Sequence, residues 1–310
     1  MPNVLFAGTD ENWQTYKTLI PEALKARGVS AIFSRDLAPE TVDYIVYSPL
    51  GPVQDFSPYT RLKAVLSLWA GVERIVGNKT LQAPLCRMVD GGLKKGMAEW
   101  VAGHCLRYHL GMDAHIVNLS HTWRSGMAPP LAEDRTIGIL GLGELGQACA
   151  EALNCLGFKV AGWSRHQKNI EGIDCYAGPD GLKALLAQTK ILVLLLPQTQ
   201  ETTHILNART LALLPKGACI LNPGRGPLIN DEALLAALNT NHIAHATLDV
   251  FSKEPLPQAH PYWAHPNVTV TPHIASETRP KSAAQVIAAN IARGESGTPL
   301  LFQVNQSLGY

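Results

Sequence analysis

Short apolar runs alternate with longer stretches of helical periodicity along most of the chain. In the first third, an amphipathic helical pattern covers residues 12–26. The strand-like runs of this part lie at residues 3–8, 29–33, 44–47, 62–68 and 85–89. Such alternation is typical of βαβ units, whose parallel strands are covered on both faces. The pattern therefore predicts a small α/β unit at the start of the chain.

Residues 90–96 interrupt this rhythm, because the sequence DGGLKKG contains three glycines in seven residues. Apolar side chains then recur at helical spacing, at Met97, Trp100, Val101, Cys105 and Tyr108. These positions share one face of a helix. We therefore expect a break at 90–96, followed by a long helix.

A second and denser α/β series begins at residue 136. Helical patterns cover residues 144–156 and 181–187, and the strand-like runs lie at 136–141, 159–163, 191–196, 219–222, 246–251 and 268–271. This series predicts a doubly wound domain over residues 97–275. The last helical stretch, 281–293, is too short to be a domain, so we expect it to fold back onto the first unit. The first domain is then discontinuous and consists of residues 1–96 and 276–310.

Composition narrows the classes of protein that fit this pattern. The 310 residues include 26 Lys and Arg against 25 Asp and Glu, so a net charge of +1 leaves no broad basic field. We expect no nucleic-acid partner and no electrostatic docking to a membrane. No apolar run approaches the roughly 20 residues of a membrane span, and the N-terminus does not resemble a signal peptide. We predict a soluble, cytoplasmic protein.

The cysteines and histidines give no indication of a metal site. No CxxC pair occurs among the six cysteines, and we expect buried thiols in a reducing compartment. The pairs His242/His245 and His260/His265 lack an acidic or thiol partner at ligand spacing. We therefore predict no bound metal.

A glycine-rich turn follows the first strand of the second series. It has the sequence Gly141-Leu142-Gly143-Glu144-Leu145-Gly146, with an apolar strand before it and a helix after it. In dinucleotide-binding folds such glycines allow the tight turn, the approach of the pyrophosphate and close helix–strand packing, while the helix N-terminus faces the phosphates. The alternative is a tight βα turn that binds no ligand.

The end of the next strand distinguishes NAD from NADP. An NAD site requires Asp or Glu about 20 residues beyond the glycines, to bind the ribose 2′-hydroxyl. Here Ser164, Arg165 and His166 follow the strand, with Lys168 beyond them and no carboxylate among them. A hydroxyl and two cations suit a 2′-phosphate, so NADP(H) is favoured and NAD(H) remains possible. Alternatively, Arg165 and Lys168 belong to a solvated turn.

Three later polar residues lie where strands end, the edge at which open α/β sheets bind ligands. Arg225 stands between glycines in NPGRG, Glu254 follows ATLDVF, and His273 follows VTVTP. An arginine can bind a carboxylate through two parallel hydrogen bonds. A neighbouring glutamate favours the protonated form of a histidine, which can then donate a proton to a carbonyl oxygen. The three together predict reduction of a 2-oxo acid. Taken singly, each is more often a structural polar residue.

These motifs resemble the D-isomer-specific 2-hydroxyacid dehydrogenases, and within them the glyoxylate/hydroxypyruvate reductase A type. The resemblance rests on LWAGVERI (68–75), TIGILGLGELG (136–146), WSR (163–165), LLPQTQET (195–202), LNPGRG (221–226), LDVFSKEPLP (248–257) and TPHIASETRP (271–280). It implies a Rossmann doubly wound parallel sheet, the dinucleotide-binding domain with a dimerisation arm, inserted into a smaller flavodoxin-like α/β domain that binds substrate.

The resemblance also implies roles for individual residues. Arg225 binds the substrate carboxylate, His273 is the acid/base, and Glu254 orients that histidine. The further positions comprise carboxylate-binding backbone at Ala70, Gly71 and Val72, cofactor-pocket residues Leu196, Pro197, Thr202, Pro223, Gly224 and Asp249, the dimer-arm Trp123, and Arg279 near the substrate entrance. The chain departs from the reductase A type at Tyr47-Ser48, where that type carries a Trp-His pair.

The resulting hypothesis is an NADPH-dependent, homodimeric reductase that converts glyoxylate to glycolate or hydroxypyruvate to D-glycerate. Two alternatives stay open. One is another dehydrogenase of this family, of the phenylpyruvate or phosphoglycerate type, and the other is a non-catalytic, dinucleotide-sensing corepressor.

Overall fold

The computed structural model describes residues 1–116, 128–306 and 308–309, which form two compact units. Unit 1 comprises Met1–Leu93 and Glu277–Tyr310, and unit 2 comprises Lys94–Ser276. The chain therefore begins in unit 1, builds the whole of unit 2, and returns to unit 1 at its end.

The elements of the described residues are numbered in chain order. The strands are β1 (Asn3–Ala7), β2 (Ile32–Ser34), β3 (Tyr44–Tyr47), β4 (Ala64–Ser67), β5 (Leu85–Cys86), β6 (Thr136–Leu140), β7 (Lys159–Ser164), β8 (Asp174–Ala177), β9 (Ile191–Leu194), β10 (Ala218–Asn222), β11 (Ile243–Leu248) and β12 (Val268–Val270). The α-helices are α1 (Asp10–Ala26), α2 (Gly91–His109), α3 (Asp113–Ile116), α4 (Glu144–Cys155), α5 (Gly178–Gln188), α6 (Ala208–Leu211), α7 (Asp231–Asn239) and α8 (Pro280–Glu295).

Unit 1 is a five-stranded parallel sheet in the order β2-β1-β3-β4-β5, the flavodoxin-like order. Side chains of successive residues point to opposite faces of a strand, so each strand supplies both cores. On one face, α1 and α8 cover a core that includes Phe6, Ile20 and Ile287. On the other face, Ile45 and Val65 pack against side chains from the connections between strands. Helix α8 thus completes the core of the unit in which the chain begins.

Unit 2 is a seven-stranded parallel sheet in the order β12-β11-β10-β9-β6-β7-β8. Counted within the unit this is 3-2-1-4-5-6-7, the Rossmann order with one added strand. The order reverses between β6 and β9, and ligands of open α/β sheets bind at such a switch point, outside the carboxyl ends of the strands. The predicted fold class, a Rossmann sheet inserted into a smaller flavodoxin-like domain, is confirmed.

Both faces of the unit 2 sheet are buried. Helices α2 and α4 place Val101, Cys149 and Leu153 on one face, and α5 and α7 place Leu185 and Leu234 on the other. Every residue of β9 is buried as a result, which explains its uninterrupted apolar sequence. None of the helices in the described part of the chain combines the length and apolarity needed to cross a bilayer.

The expected break at residues 90–96 is wrong, because α2 begins at Gly91. The buried carboxylate of Asp90 accepts hydrogen bonds from the backbone N–H groups of Gly92 at 2.9 Å and Leu93 at 3.3 Å. An aspartate that satisfies these donors starts a helix despite the low helix propensity of glycine. The sequence patterns also did not single out β8, α6 or α7.

A buried asparagine on α8 gives a test of how the C-terminal segment is held. The Asn290 side chain accepts from the Leu301 N–H at 2.7 Å and donates to the Leu301 carbonyl at 3.2 Å. Replacing Asn290 with Ala leaves both backbone groups unpaired, so we expect Asn290→Ala to lower the free energy of unfolding by about 2–3 kcal/mol in urea titrations. Gln285→Ala is the matched control, because Gln285 is exposed on the same helix. Equal stability of the two variants would contradict the assignment.

Candidate active site

The glycine-rich turn connects β6 to α4 and contains two glycines that packing requires. Gly141 has φ of +109°, and a Cβ there would lie 2.6 Å from the Leu195 carbonyl oxygen. A Cβ at Gly146 would lie 1.8 Å from the Gly141 carbonyl oxygen. Any side chain at either position would displace backbone. The turn therefore holds the start of α4 close against the ends of β6 and β9.

Gly143 has no such packing requirement. It caps α4, is exposed, and a Cβ there would meet no atom within 4 Å in the described structure. The missing side chain leaves the N-terminus of α4 open, where unpaired N–H groups and the positive end of the helix dipole favour an anion. This open cradle fits the pyrophosphate of a dinucleotide.

The other residues of the turn are fixed by neighbouring elements. Leu142 is buried, and its carbonyl oxygen accepts from the Gln147 side chain at 3.0 Å and from Lys168 Nζ at 2.7 Å. Glu144 forms an ion pair with Lys94, and Leu145 packs against the core between α4 and the sheet. Lys168 thus ties the segment after β7 to the glycine turn.

The residues predicted to select the cofactor lie together at the end of β7, the neighbour of β6. The buried Ser164 hydroxyl donates to the His166 carbonyl at 2.8 Å, which closes the turn. Arg165 is half-buried and forms an ion pair with the exposed Glu201 from the segment after β9. Arg165 is therefore held at this edge by a carboxylate of the same unit.

The segment after β9 lies on the other side of the glycine turn. Leu196 is buried, and Pro197 is half-buried beside it. The buried Thr202 hydroxyl donates to the Pro197 carbonyl at 2.7 Å and accepts from the Thr199 N–H at 2.8 Å. Thr202 consequently holds the shape of the predicted pocket-lining loop.

The turn that carries Arg225 follows β10 and is closely packed. Pro223 and Gly224 are buried, and a Cβ at Gly224 would lie 2.7 Å from the Leu194 carbonyl oxygen. The buried Asn222 side chain accepts from the Gly224 N–H at 3.2 Å and donates to the Arg225 carbonyl at 2.9 Å. The sequence patterns did not single out Asn222, although it directly precedes the Pro-Gly-Arg-Gly segment. Arg225 is half-buried, and its Nη1 donates to the Gly224 carbonyl at 2.7 Å.

The structure brings Glu254 and His273 into contact. His273 Nδ1 lies 2.8 Å from Glu254 Oε2, and the other carboxylate oxygen accepts from the Phe251 N–H at 2.9 Å. About half of the His273 side chain is exposed (53%). Its Nε2 forms no hydrogen bond to any residue that the structure describes. The pair therefore presents a histidine whose one ring nitrogen is anchored and whose other is available.

Asp249 shapes the turn on which His273 stands. The fully buried carboxylate accepts from the Thr271 hydroxyl at 2.6 Å, the Ile274 N–H at 2.9 Å and the Ala275 N–H at 2.9 Å. The His273 N–H donates to the Asp249 carbonyl, also at 2.9 Å. His273 has φ of +56°, a conformation that costs of order 1–3 kcal/mol outside glycine. These hydrogen bonds hold that conformation. The role predicted for Asp249, fixing a nicotinamide carboxamide, stays a prediction.

The remaining candidates belong to unit 1 or lie outside the described residues. The backbone N–H groups of Ala70, Gly71 and Val72, just beyond β4, donate no hydrogen bond within the described chain, and their predicted role in binding a carboxylate stays a prediction. Arg279 precedes α8, and its side-chain stem packs on Gly92. Tyr47 packs in the unit 1 core with its ring 5.7 Å from that of Phe56. Trp123 lies outside the described residues.

The expectation that all six thiols are buried is wrong, because the cysteines differ in exposure. Cys155 is exposed at the end of α4, whereas burial raises the pKa of the Cys86, Cys149 and Cys219 thiols to about 12. Burial also lowers the pKa of His245 to about 4. Over residues 1–116, 128–306 and 308–309, no group of three or more His, Cys, Asp or Glu is placed to hold a metal ion.

Comparison with known proteins relates this architecture to one family. The family described as D-isomer specific 2-hydroxyacid dehydrogenase, NAD binding domain, matches residues 104–275. Glyoxylate/hydroxypyruvate reductase A from Serratia proteamaculans (strain 568) is 43% identical over 258 residues, 81% of this chain and 82% of the relative.

Solved structures give the same relation over the whole chain. A D-isomer specific 2-hydroxyacid dehydrogenase from Xanthobacter autotrophicus Py2, in complex with NADPH and MES, has a TM-score of 0.91 and 37% identity, covering 100% of this chain and 99% of that one. The NADPH-dependent glyoxylate/hydroxypyruvate reductase from Sinorhizobium meliloti, in complex with NADP and sulfate, has a TM-score of 0.85 and 35% identity, covering 100% of both chains.

The hydrogen bonds of Asp249 predict the effect of removing its charge. In asparagine an NH₂ group replaces one oxygen of the carboxylate. This group would face at least one of the three hydrogen-bond donors that now bind Asp249, and that hydrogen bond would be lost. We expect Asp249→Asn to destabilise unit 2 by about 1–3 kcal/mol and to increase hydrogen exchange at residues 271–275. The measurements are thermal unfolding and hydrogen-exchange mass spectrometry. Asp174→Asn, an exposed change on β8, serves as control. Unchanged exchange at 271–275 in Asp249→Asn would show that the carboxylate does not hold the turn.

Proposed function

The chain belongs to the D-isomer specific 2-hydroxyacid dehydrogenase family, and we propose that it is an NADPH-dependent reductase of small 2-oxo acids. Glyoxylate and hydroxypyruvate are the first candidate substrates, with glycolate and D-glycerate as products. The observation that carries the proposal is the His273–Glu254 hydrogen bond at the carboxyl edge of a Rossmann sheet. The reductase A relative and the NADPH-dependent reductase with a similar structure support the substrate class.

The glycine turn and its neighbours would hold the cofactor. The pyrophosphate would lie at the exposed Gly143 and the N-terminus of α4, and Ser164 and Arg165 would face the 2′-phosphate. The wall of the cofactor pocket would be formed by Leu196, Pro197, Thr202, Pro223 and Gly224. When bound, NADPH supplies the hydride that reduces the carbonyl carbon.

The protein's own residues would position the substrate and supply the proton. Arg225 would bind the substrate carboxylate with its guanidinium. In unit 1, the backbone amides of residues 70–72 stay a proposed carboxylate-binding segment. His273, with Nδ1 anchored on Glu254, would donate a proton from Nε2 to the carbonyl oxygen as the alcohol forms. Glu254 fixes the orientation of the ring through its hydrogen bond to Nδ1. Asp249 would act indirectly, by holding the turn of His273.

We infer that the enzyme is a cytoplasmic homodimer. The dimer is supported by the resemblance of the segment around Trp123 to a dimerisation arm. The cytoplasmic location is supported by the six cysteines, all of which are free thiols, as is usual in a reducing compartment. Light scattering during size-exclusion chromatography measures the mass in solution. A mass of about twice the 33.5 kDa of one chain is the expected result.

The direct test of function is the loss of NADPH absorbance with a panel of oxo acids. Glyoxylate and hydroxypyruvate are expected to react fastest, whereas a preference for phenylpyruvate or phosphohydroxypyruvate would indicate another dehydrogenase of the family. Binding of NADPH without turnover of any oxo acid would indicate a sensor or corepressor.

Removing the proposed acid tests the chemistry. We expect His273→Ala to lower kcat by roughly 10²–10⁴-fold, because proton donation in the transition state is lost. NADPH binding, measured by fluorescence titration, should change little, since His273 is not among the residues proposed to hold the cofactor. His115→Ala is the control, because His115 is exposed elsewhere in unit 2. An unchanged kcat in His273→Ala would rule out the assigned role.

Neutralising Arg165 tests the selection of the 2′-phosphate. A hydrogen bond between charged groups contributes about 1.5–3 kcal/mol, so Arg165→Gln should lower kcat/KM with NADPH by about 10- to 100-fold. The value with NADH should stay within about twofold, because NADH has no 2′-phosphate. Arg209→Gln, an exposed change on α6, controls for net charge. If the NADPH/NADH ratio is the same in Arg165→Gln as in the wild type, Arg165 does not select the cofactor.

A further inference from the structure

The ion pair between Arg165 and Glu201 joins two segments that flank the glycine turn. Arg165 follows β7, and Glu201 belongs to the segment after β9. Because β6 lies between β7 and β9 in the sheet, the two partners come from either side of the strand that leads into Gly141. The Arg165 side chain is 31% exposed and that of Glu201 is 71% exposed, so the pair is open to a ligand.

The backbone on both sides of this pair is fixed by other hydrogen bonds. On the Glu201 side, Thr202 is anchored to Pro197, and the Thr203 hydroxyl donates to the Thr199 carbonyl at 2.8 Å. On the Arg165 side, Ser164 closes its turn, and Lys168 Nζ donates to the Leu142 carbonyl. The backbone that carries each partner is therefore held by hydrogen bonds other than the ion pair.

We propose that Glu201 is a specificity-determining residue that competes with a cofactor 2′-phosphate for the guanidinium of Arg165. The inference rests on the proposed function, in which Arg165 binds that phosphate. A phosphate of charge near −2 that binds Arg165 meets the Glu201 carboxylate on the same guanidinium, and the two anions compete for it and repel each other at short range. Glu201 thus weakens the binding of NADPH.

The same carboxylate does not oppose NADH in this way. A ribose 2′-hydroxyl is uncharged and can donate a hydrogen bond to a carboxylate, as it does to the acidic residue of NAD-binding folds. Arg165 and Glu201 therefore have opposite effects on the preference for NADPH over NADH. Arg165 favours the phosphorylated cofactor, and Glu201 limits that preference and leaves NADH usable.

Equilibrium binding of the two cofactors to the intact protein tests the proposal. Exposed ion pairs contribute about 0.2–1 kcal/mol, so Glu201→Gln should lower the Kd for NADPH about two- to fivefold in calorimetric titrations. The Kd for NADH should change less than about twofold. The gain for NADPH should shrink at high salt, because exposed charges are screened. Glu151→Gln, an exposed change on α4, removes the same charge from unit 2 and should alter neither Kd.

A second variant separates competition from a general charge effect. In the Arg165→Gln background there is no guanidinium to compete for, so Glu201→Gln should tighten NADPH binding less than it does in the wild type. An unchanged or higher Kd for NADPH in Glu201→Gln alone would overturn the proposal, the latter because Glu201 would then be orienting Arg165 for the phosphate. If the wild type binds NADPH but this shift is absent, only the role of Glu201 fails. If the wild type binds no NADPH, the proposed function fails first.

Discussion

The parallel hydrogen-bond ladder of unit 2 is the constraint on which the candidate residues of that unit depend. Parallel pairing from β8 to β12 brings the carboxyl ends of the strands to one edge. The glycine turn, Arg165, Arg225 and the His273 turn each follow one of these strands within a few residues. Residues far apart in sequence therefore meet at this edge without any long side-chain scaffold.

Buried polar groups then convert this approximate placement into a defined geometry. Asn222 holds the Arg225 turn, and Asp249 holds the turn of His273 in a left-handed conformation. Each is almost inaccessible to solvent, and unpaired buried polar groups are costly, so the alternative conformations of these turns are disfavoured. The exposed pair Glu254–His273 can therefore remain oriented although solvent reaches it.

The sequence predicted the features that depend on strand ends and glycine positions, because these are local. The fold class and the family resemblance are confirmed, and the contact between Glu254 and His273 follows from neighbouring strands. The start of α2 was missed, because the Asp90 cap outweighs the two glycines that follow it. The hydrogen bonds of the Asp249 carboxylate and the Arg165–Glu201 ion pair join residues that tertiary structure brings together. The hydrophobic periodicity of the sequence therefore does not predict them.

The return of α8 to unit 1 has a consequence for how the polypeptide is made. The sheet face that includes Val4 and Phe6 is buried partly by Ala284, Ile287 and Ile291, which are synthesised after all of unit 2. During translation, that apolar face lacks one of its two covering helices until the ribosome has added α8. Unit 2 has no such dependence on later residues and can complete its own core first. The nascent chain therefore leaves part of this apolar face, the part that α1 does not cover, exposed to solvent until α8 has been synthesised.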